Sequence, residues 1–461
     1  MMPDLVVDRP FLRHPLDPGI FKAYDIRGLH PSQLDSEVAR RVGRAFADYL
    51  GARRIAVGRD CRLSSPELAG AFIEGARSQG ASVVDIGMVA TDMLYYCVGA
   101  RDLDGGAIVT ASHNPRDWNG MKLVRRGALA LSGDAGIGEI REGVTAGRYA
   151  DAPPPSGTLE SAAVVEDYAR HCLAFVDRAA VPPLRAVLDT ANGMGALGAA
   201  AIFAHLPVET VRMYFDLDGT FPNHPADPLV EENRRDVVAR VVAEKADIGI
   251  AWDGDADRCF FIDDAGEYVP GDFVTALLGE AFARREPGAR IVYDVRASRA
   301  VADRVIAAGG VPLMNRVGHA FIKKRMRDEN AVFGGEVSGH FYFRENWFAD
   351  NGMIPALLVL ERLGREGLSL SRLLAPLRER YHLSGEINSR VDDVERALAR
   401  IAERYRDGRI SRLDGVSVDF EDWHFNVRPS NTEPLLRLNL EAFSRDRMER
   451  RRDEVLALVR G

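Results

Sequence analysis

The 461-residue sequence predicts a multi-domain α/β protein with a smaller α+β segment at its C-terminal end. Three observations carry that expectation. Length alone exceeds what one hydrophobic core supports and suggests three or four domains. A strand–helix–strand rhythm recurs, which favours mostly parallel sheets covered by helices. Beyond Tyr381 the texture changes to short strands around two helical stretches.

The recurring units are readable in order. Arg54–Val57 reads as a strand, Ser65–Ser78 as a helix and Ser82–Ile86 as the next strand. Arg185–Leu188, Met194–Phe203 and Val208–Arg212 form a second such unit, and Arg290–Val292, Ala297–Ala308 and Val311–Asn315 a third. In the last segment, a helix is expected from Val394 to Arg406 and another ending at Val459. The A-P-P-P-S-G stretch, 152–157, is stiff and polar and fits a boundary. Asp263–Glu267 (D-D-A-G-E) closes a strand pair and marks another. The domains expected are therefore 1–155, 156–265, 266–380 and 381–461, with no strong internal repeat.

Composition excludes several classes. The chain is 46% apolar and 28% charged, which permits large buried cores and argues against extensive disorder. A formal charge of −8 disfavours a general nucleic-acid binder but leaves anionic small molecules open, since local arginines decide that. The four cysteines lack C-x-x-C spacing, which reads as buried thiols in a reducing compartment. Met1–Pro10 has no apolar h-region, and no apolar run reaches the ~18 residues of a membrane span. A cytoplasmic protein without membrane or nucleic-acid partners is expected.

Four short motifs carry chemistry. T-A-S-H-N-P, Thr110–Pro115, follows the apolar run Gly106–Val109. A serine in a small, polar turn at a strand end presents its hydroxyl to solvent, and Asn-Pro stops the turn from continuing as a helix. The motif alone reads equally well as a surface turn. Lys122, ten residues beyond Ser112, adds a cation suited to a phosphate.

D-G-D-A-D-R, Asp253–Arg258, lies between the apolar runs Ile248–Trp252 and Cys259–Ile262. Carboxylates at alternate positions of a tight turn converge on one hard divalent cation, although a solvated acidic turn has the same composition. An EF-hand is excluded, because Arg258 stands where the loop needs glycine and Asp264 where it needs glutamate. Magnesium keeps few protein ligands and bonds a phosphate oxygen as well. Three aspartates and one oxygen of a phosphorylated Ser112 meet that need, a link that spacing alone does not establish.

G-G-E-V-S-G-H, Gly334–His340, places glutamate and serine where they can approach sugar hydroxyls, with a histidine able to move protons. A histidine in a glycine loop is also commonly structural. His319 and Lys323 form a second such cluster upstream. R-P-S-N-T-E-P, Arg428–Pro434, collects donors for one anion, with a bidentate arginine at its head, or forms a plain turn.

In this order and at these separations the motifs resemble the α-D-phosphohexomutase superfamily, nearest to bacterial phosphomannomutase/phosphoglucomutase. F-K-A-Y-D-I-R-G (Phe21–Gly28), V-G-R-D-C-R-L-S (Val57–Ser64) and F-P-N-H-P-A-D-P (Phe221–Pro228) extend the resemblance over nearly the whole chain. It implies four domains around a central cleft: three α/β domains with mixed, mostly parallel sheets, and a smaller, mobile C-terminal α+β domain. A last domain carrying the phosphate cradle suits closure of the cleft against water.

By motif match, Ser112 is the phosphoserine, and it joins Asp253, Asp255 and Asp257 as a magnesium ligand. Arg258 contacts the transferring group. Glu336 and Ser338 hold sugar hydroxyls, while Arg428, Ser430, Asn431 and Thr432 hold the non-reacting phosphate. Tyr24, Arg27, Lys122, His319, Lys323 and His340 line the reacting centre, with His340 or Lys122 handling the hydroxyl proton.

The activity implied is interconversion of hexose 1- and 6-phosphates through a hexose 1,6-bisphosphate, in a monomer or weak homo-oligomer. Val337 and Asn431 stand where the glucosamine branch typically has glutamine and glycine, which favours mannose or glucose phosphates over phosphoglucosamine. A non-catalytic phosphosugar sensor and a metal-dependent sugar-phosphate phosphatase are the alternatives of other classes. One departure is noted: relatives often have Pro-Thr-Pro where this chain reads Ala90-Thr91-Asp92, at a place to which no motif chemistry is assigned.

Overall fold

The computed structural model describes residues 16–133, 135–147, 157–429 and 435–461. They fall into two compact units: residues up to 259 with 349–361, and residues 260–348 with 362–461. The linker expected at 152–157 lies, up to Ser156, outside the described residues, as do Ser430, Asn431 and Thr432.

The first unit opens with a mixed sheet. Its strands run in the order Ile26–Leu29, Trp118–Arg125, Gly105–Val109, Arg54–Arg59, Ser82–Met88 and Leu159–Ser161. The last four are mutually parallel, whereas Trp118–Arg125 is antiparallel to both of its neighbours. Gly105–Val109 is buried along its whole length, so both faces are covered and the strand reads as a continuous small and apolar run. The turn that follows it therefore leaves the middle of a rigid layer. In the same unit Ile248–Trp252, Leu184–Asp189 and Val208–Met213 form a second parallel set in that order.

Helices Ser36–Leu50 and Ser65–Ser78 cover one face of the first sheet. Asp35 caps the former through its side chain, accepting from the Glu37 and Val38 amides, and Gly51 ends it in a left-handed conformation. The two helices meet glycine to backbone. A Cβ on Gly43 would lie 2.2 Å from the Phe72 carbonyl oxygen, and one on Gly75 2.0 Å from that of Arg40. Phe46 and Phe72, both fully buried, then pack with ring centroids 5.8 Å apart.

The second unit holds the parallel strands Val311–Asn315, Arg290–Asp294 and Phe333–Gly335, with Phe341–Phe343 antiparallel to the last. The strand pair closed by Asp263–Glu267 is present as an antiparallel hairpin, in which the Asp263 amide donates to the Glu267 carbonyl. The C-terminal segment is an antiparallel sheet, His382–Leu383, Leu435–Ala442, Trp423–Pro429, Val416–Asp419 and Arg409–Ser411, with Ile387–Arg390 also on Leu435–Ala442. Helices Val394–Arg404 and Arg445–Arg460 pack on it over a core that includes Trp423, Phe425 and Tyr405. The expected architecture of three α/β domains and a smaller α+β domain is observed. No helix among the described residues is long and apolar enough to cross a membrane.

The close helix contact makes a sharp prediction. Gly75→Ala forces the two helices apart and should cost about 1–3 kcal/mol, as overpacking does. Urea unfolding checks it; an unchanged midpoint would show that the helices separate freely.

Candidate functional site

Two groups of predicted residues assemble, one in each unit. In the first, Ser112 follows the strand Gly105–Val109 in a left-handed conformation, φ 53°. For a residue with a Cβ this costs on the order of 1–3 kcal/mol and persists only where the surroundings impose it. They do. Arg62, fully buried, donates to the carbonyl oxygens of Ser112 (2.7 Å), Asn114 (2.7 Å), Pro115 (2.8 Å) and Trp118 (3.0 Å), and its Nε pairs with Asp60 at 3.1 Å. The expectation of a solvent-facing hydroxyl is corrected here. Ser112 is only 3% exposed, and its Oγ donates to Asp253 Oδ2 at 3.0 Å. The His113 Nδ1 lies 3.2 Å from the same Oγ.

The acidic turn is held as closely. Asp253, Asp255 and Asp257 are all buried, and their facing oxygens lie within 4.8 Å of one another. A Cβ on Gly254 would meet the Ser112 carbonyl oxygen at 2.5 Å, so only glycine lets the two turns touch. Three buried carboxylates need cations. Lys122 Nζ donates to Asp255 Oδ2 (2.6 Å) and to Asp257, while Arg258 Nε donates to Asp253 Oδ2 at 2.8 Å.

Burial, opposed by Arg258 and reinforced by Asp255 and Asp257, pushes Asp253 up to about 7. At Asp255, burial and Asp257 act upward, but the Lys122 ammonium outweighs them and holds it below the usual carboxylate range. Burial works against the Lys122 charge too, yet Asp255 and Asp257 raise its pKa, so it stands as an ammonium and not as a base. Asp255 Oδ1 is buried with no hydrogen-bond partner among the described residues. A hard divalent cation fits this donor set of all-oxygen ligands. Arg27 is anchored by Asp25 (2.7 Å) and donates to the Asn114 side chain, and Tyr24 lies half-buried just before it.

The Ala90-Thr91-Asp92 departure does bear on this site. Thr91 Oγ1 donates to Asp255 Oδ2 at 2.6 Å, and its amide donates to the Asp255 carbonyl. Asp92 beside it is buried, accepting from Tyr168 Oη (2.5 Å) and the Gly352 amide (3.3 Å).

In the second unit, Glu336 is buried at the end of the strand Phe333–Gly335. Its Oε1 accepts from the Gly318 amide at 3.0 Å and its Oε2 from Tyr342 Oη. Ser338 Oγ lies 3.2 Å from His340 Nδ1, and the His340 and His319 rings stack at 6.2 Å. Lys323 is buried with its ammonium 6.0 Å from the Tyr342 ring. Arg428 stands near the end of Trp423–Pro429 and pairs with Glu386 at 3.2 Å.

Several participants carry no motif signal. Thr91, Asp92 and Glu386 lie outside the four motifs, and His113 lies inside T-A-S-H-N-P but is not among the residues to which that motif assigns chemistry. Arg62 falls within the V-G-R-D-C-R-L-S stretch, where a buried D-x-R pair after a strand was the available cue.

Comparison with known proteins assigns the class. The chain belongs to the phosphoglucomutase/phosphomannomutase family: alpha/beta/alpha domain I matches residues 18–150, domain II 166–266, domain III 270–381, and the C-terminal domain 386–458. It is thus a phosphohexomutase, an isomerase. A protein described as phosphohexose mutases from Xanthomonas campestris pv. campestris (strain B100) is 44% identical, over 96% of this chain and 99% of that one. A phosphomannomutase from Salmonella montevideo is 42% identical, over 95% and 98%. Among solved structures, a phosphoglucomutase/phosphomannomutase family protein from Burkholderia thailandensis aligns with a TM-score of 0.89 at 35% identity, covering 96% of this chain and 97% of that one.

Asp92 generates a pH prediction. Burial, against the Tyr168 and Gly352 donors, pushes it up to about 8. Between an unfolded value of roughly 3.9 and that folded value the native state binds more protons than the unfolded chain. Stability therefore falls as pH rises through this window, by up to about 1.4 kcal/mol per pH unit, and levels off above it. Asp92→Asn should gain on the wild type steadily from pH 5 to pH 8. Parallel pH profiles of the two proteins in urea unfolding would refute the assignment.

Proposed function

We propose that the protein interconverts the 1- and 6-phosphates of mannose or glucose through phospho-Ser112 and a hexose 1,6-bisphosphate. The observation that carries this reading is the Ser112 hydroxyl, held 3.0 Å from Asp253 and beside a buried acidic triad that Lys122 and Arg258 offset in part. Phosphoryl transfer is mainly a matter of positioning and of charge neutralisation, and these side chains supply both.

Asp253, Asp255 and Asp257, with an oxygen of phospho-Ser112, would hold magnesium, whose charge offsets that of the phosphoryl oxygens. Arg258, Arg27 and Lys122 carry further positive charge toward the same group. In the first half-reaction the Ser112 Oγ–P bond breaks and a P–O bond forms to the free hydroxyl of the hexose phosphate. The hydroxyl proton passes to His340, whose ring Ser338 orients; Lys122, fixed as an ammonium by two carboxylates, is the poorer acceptor. The second half runs the same chemistry in reverse from the other end of the bisphosphate. Glu336 and Ser338 bind sugar hydroxyls, with His319 and Lys323 beside them, and Tyr24 lies near Arg27. Arg428, with Ser430, Asn431 and Thr432, holds the phosphate that is not reacting.

Support for the mannose/glucose branch comes from Val337 and Asn431, as read in the sequence, and from relatives named for phosphomannose. Phosphoglucosamine is the second substrate to try. Phosphorus NMR of mannose 1-phosphate with enzyme, magnesium and a trace of glucose 1,6-bisphosphate should show mannose 6-phosphate growing in without inorganic phosphate. Release of inorganic phosphate would mark a phosphatase instead. No conversion of mannose, glucose or glucosamine phosphates, with no phosphoryl group on Ser112 by intact mass, would favour a sensor.

His340→Ala should lower kcat about 100-fold or more, the usual contribution of a positioned acid–base group. Unchanged turnover would move the proton to another residue.

A further inference from the structure

Arg428 does not stand alone. Three guanidinium groups converge on the carboxylate of Glu386: those of Arg428 and Arg437, opposite each other on neighbouring strands, and that of Arg296. The Glu386 Oε1 lies 3.0 Å from Arg437 NH1, and its Oε2 lies 3.2 Å from Arg428 NH2 and 3.6 Å from Arg296 NH1. Arg296 follows the strand Arg290–Asp294, where Asp294 fixes it at 2.8 Å and at 3.0 Å. It also reaches to 3.9 Å from Glu336, so the arginine cluster and the glutamate of the G-E-V-S-G-H loop are joined through one side chain.

Arg296 is matched by Asp294, while Arg428 and Arg437 share the one carboxylate of Glu386. Arg428 is only 5% exposed, yet its Nε has no hydrogen-bond partner among the described residues. The two oxygens of Glu386 are divided among three guanidinium groups, so none of them makes with it the bidentate pairing a fork allows. A phosphate ester carries close to two negative charges near pH 7 and three acceptor oxygens, and so meets the charge and the donors better. Glu386 lies with Arg437 at the cluster's exposed side: their side chains are 25% and 29% exposed, and Glu386 follows Gly385, which has φ 68°. Arg296 and Arg428, by contrast, are each held at 7% side-chain exposure.

We propose that Glu386 is an internal counter-ion seated on the arginine cluster in place of a phosphate, and that the phosphate ester engaging Arg428 displaces it. This rests on the reading of Arg428 as an anion-binding residue. The device keeps three like charges together in the absence of substrate, where they would otherwise repel at close range. It also sets a threshold: a dianion outcompetes the tethered carboxylate, whereas a monoanion does not. Glu386 is thus a positioning and specificity-determining residue.

The test is calorimetric titration of the full-length protein with inorganic phosphate at fixed ionic strength. Glu386→Gln, which removes the competitor and keeps the shape, should bind phosphate at least about fivefold tighter than the wild type, while Arg428→Ala binds at least about tenfold weaker. Glu386→Asp, which keeps the charge, should stay near the wild type. If Glu386→Gln binds equally or more weakly while Arg428→Ala loses affinity, Glu386 merely holds the arginines in place and the proposal falls. If Glu386→Asp gains as much as Glu386→Gln, the effect is not one of charge and it falls as well. If Arg428→Ala binds phosphate like the wild type, the anion-cradle reading itself is wrong. Thermal unfolding of each variant confirms that the comparison is made between folded proteins.

Discussion

The buried guanidinium of Arg62 is the contact on which the first active-site loop depends. Between the strands that end at Val109 and begin at Trp118, the carbonyls of Ser112, Asn114, Pro115 and Trp118 all turn toward one buried side chain. A buried carbonyl without a donor costs roughly 1–3 kcal/mol. Arg62 answers four of them with one rigid fork and pairs its own charge with Asp60, whose other oxygen accepts from Ser65. Lysine, a point charge on a flexible stem, has no such planar geometry. The left-handed backbone at Ser112 is tolerated because this scaffold over-determines the turn.

The acidic turn shows the same economy of construction. Three carboxylates within 4.8 Å repel strongly in a buried setting, and the fold answers by bringing Lys122 from the strand Trp118–Arg125 of another sheet and Arg258 from the turn itself. Thr91 adds a neutral donor. None of this neutralises the cluster fully, since Asp255 retains an unpartnered oxygen. Residual negative potential in a closed, rigid cup is what a hard cation requires, and it arises from burial as much as from the aspartates.

What could be read from the sequence follows from the range of the forces involved. Helix Ser65–Ser78 and strand Val311–Asn315 have the bounds expected, because their periodicity is local. Helix Val394–Arg404 stops two residues early, at the usual uncertainty of a helix end. The motif residues were legible because each motif is contiguous and carries its chemistry in its composition. Burial of the Ser112 hydroxyl was not legible, since a turn of small polar residues looks alike whether it faces water or a second turn. Ala90-Thr91-Asp92 stood out as a departure, but its bearing on the site was not legible for a similar reason: the partners of Thr91 and Asp92 lie 164 and 76 positions away. Arg296, Glu386 and Arg437 belong to three separate segments, and only folding places their charges together.

Taken side by side, the two units use opposite versions of one arrangement. In the first, an ammonium bridges two of three buried carboxylates, the third being paired with Arg258; in the second, a carboxylate bridges three guanidinium groups, one of them also paired with Asp294. Each group of like charges would repel if left bare, and each would bind nothing if balanced completely. A tethered, bridging counter-ion lies between those extremes. It is strong enough to keep the cluster assembled through folding and weak enough to leave net charge for a partner of higher valence. That compromise explains why, in both clusters, the bridging opposite charge sits on a long, flexible side chain, lysine in one case and glutamate in the other.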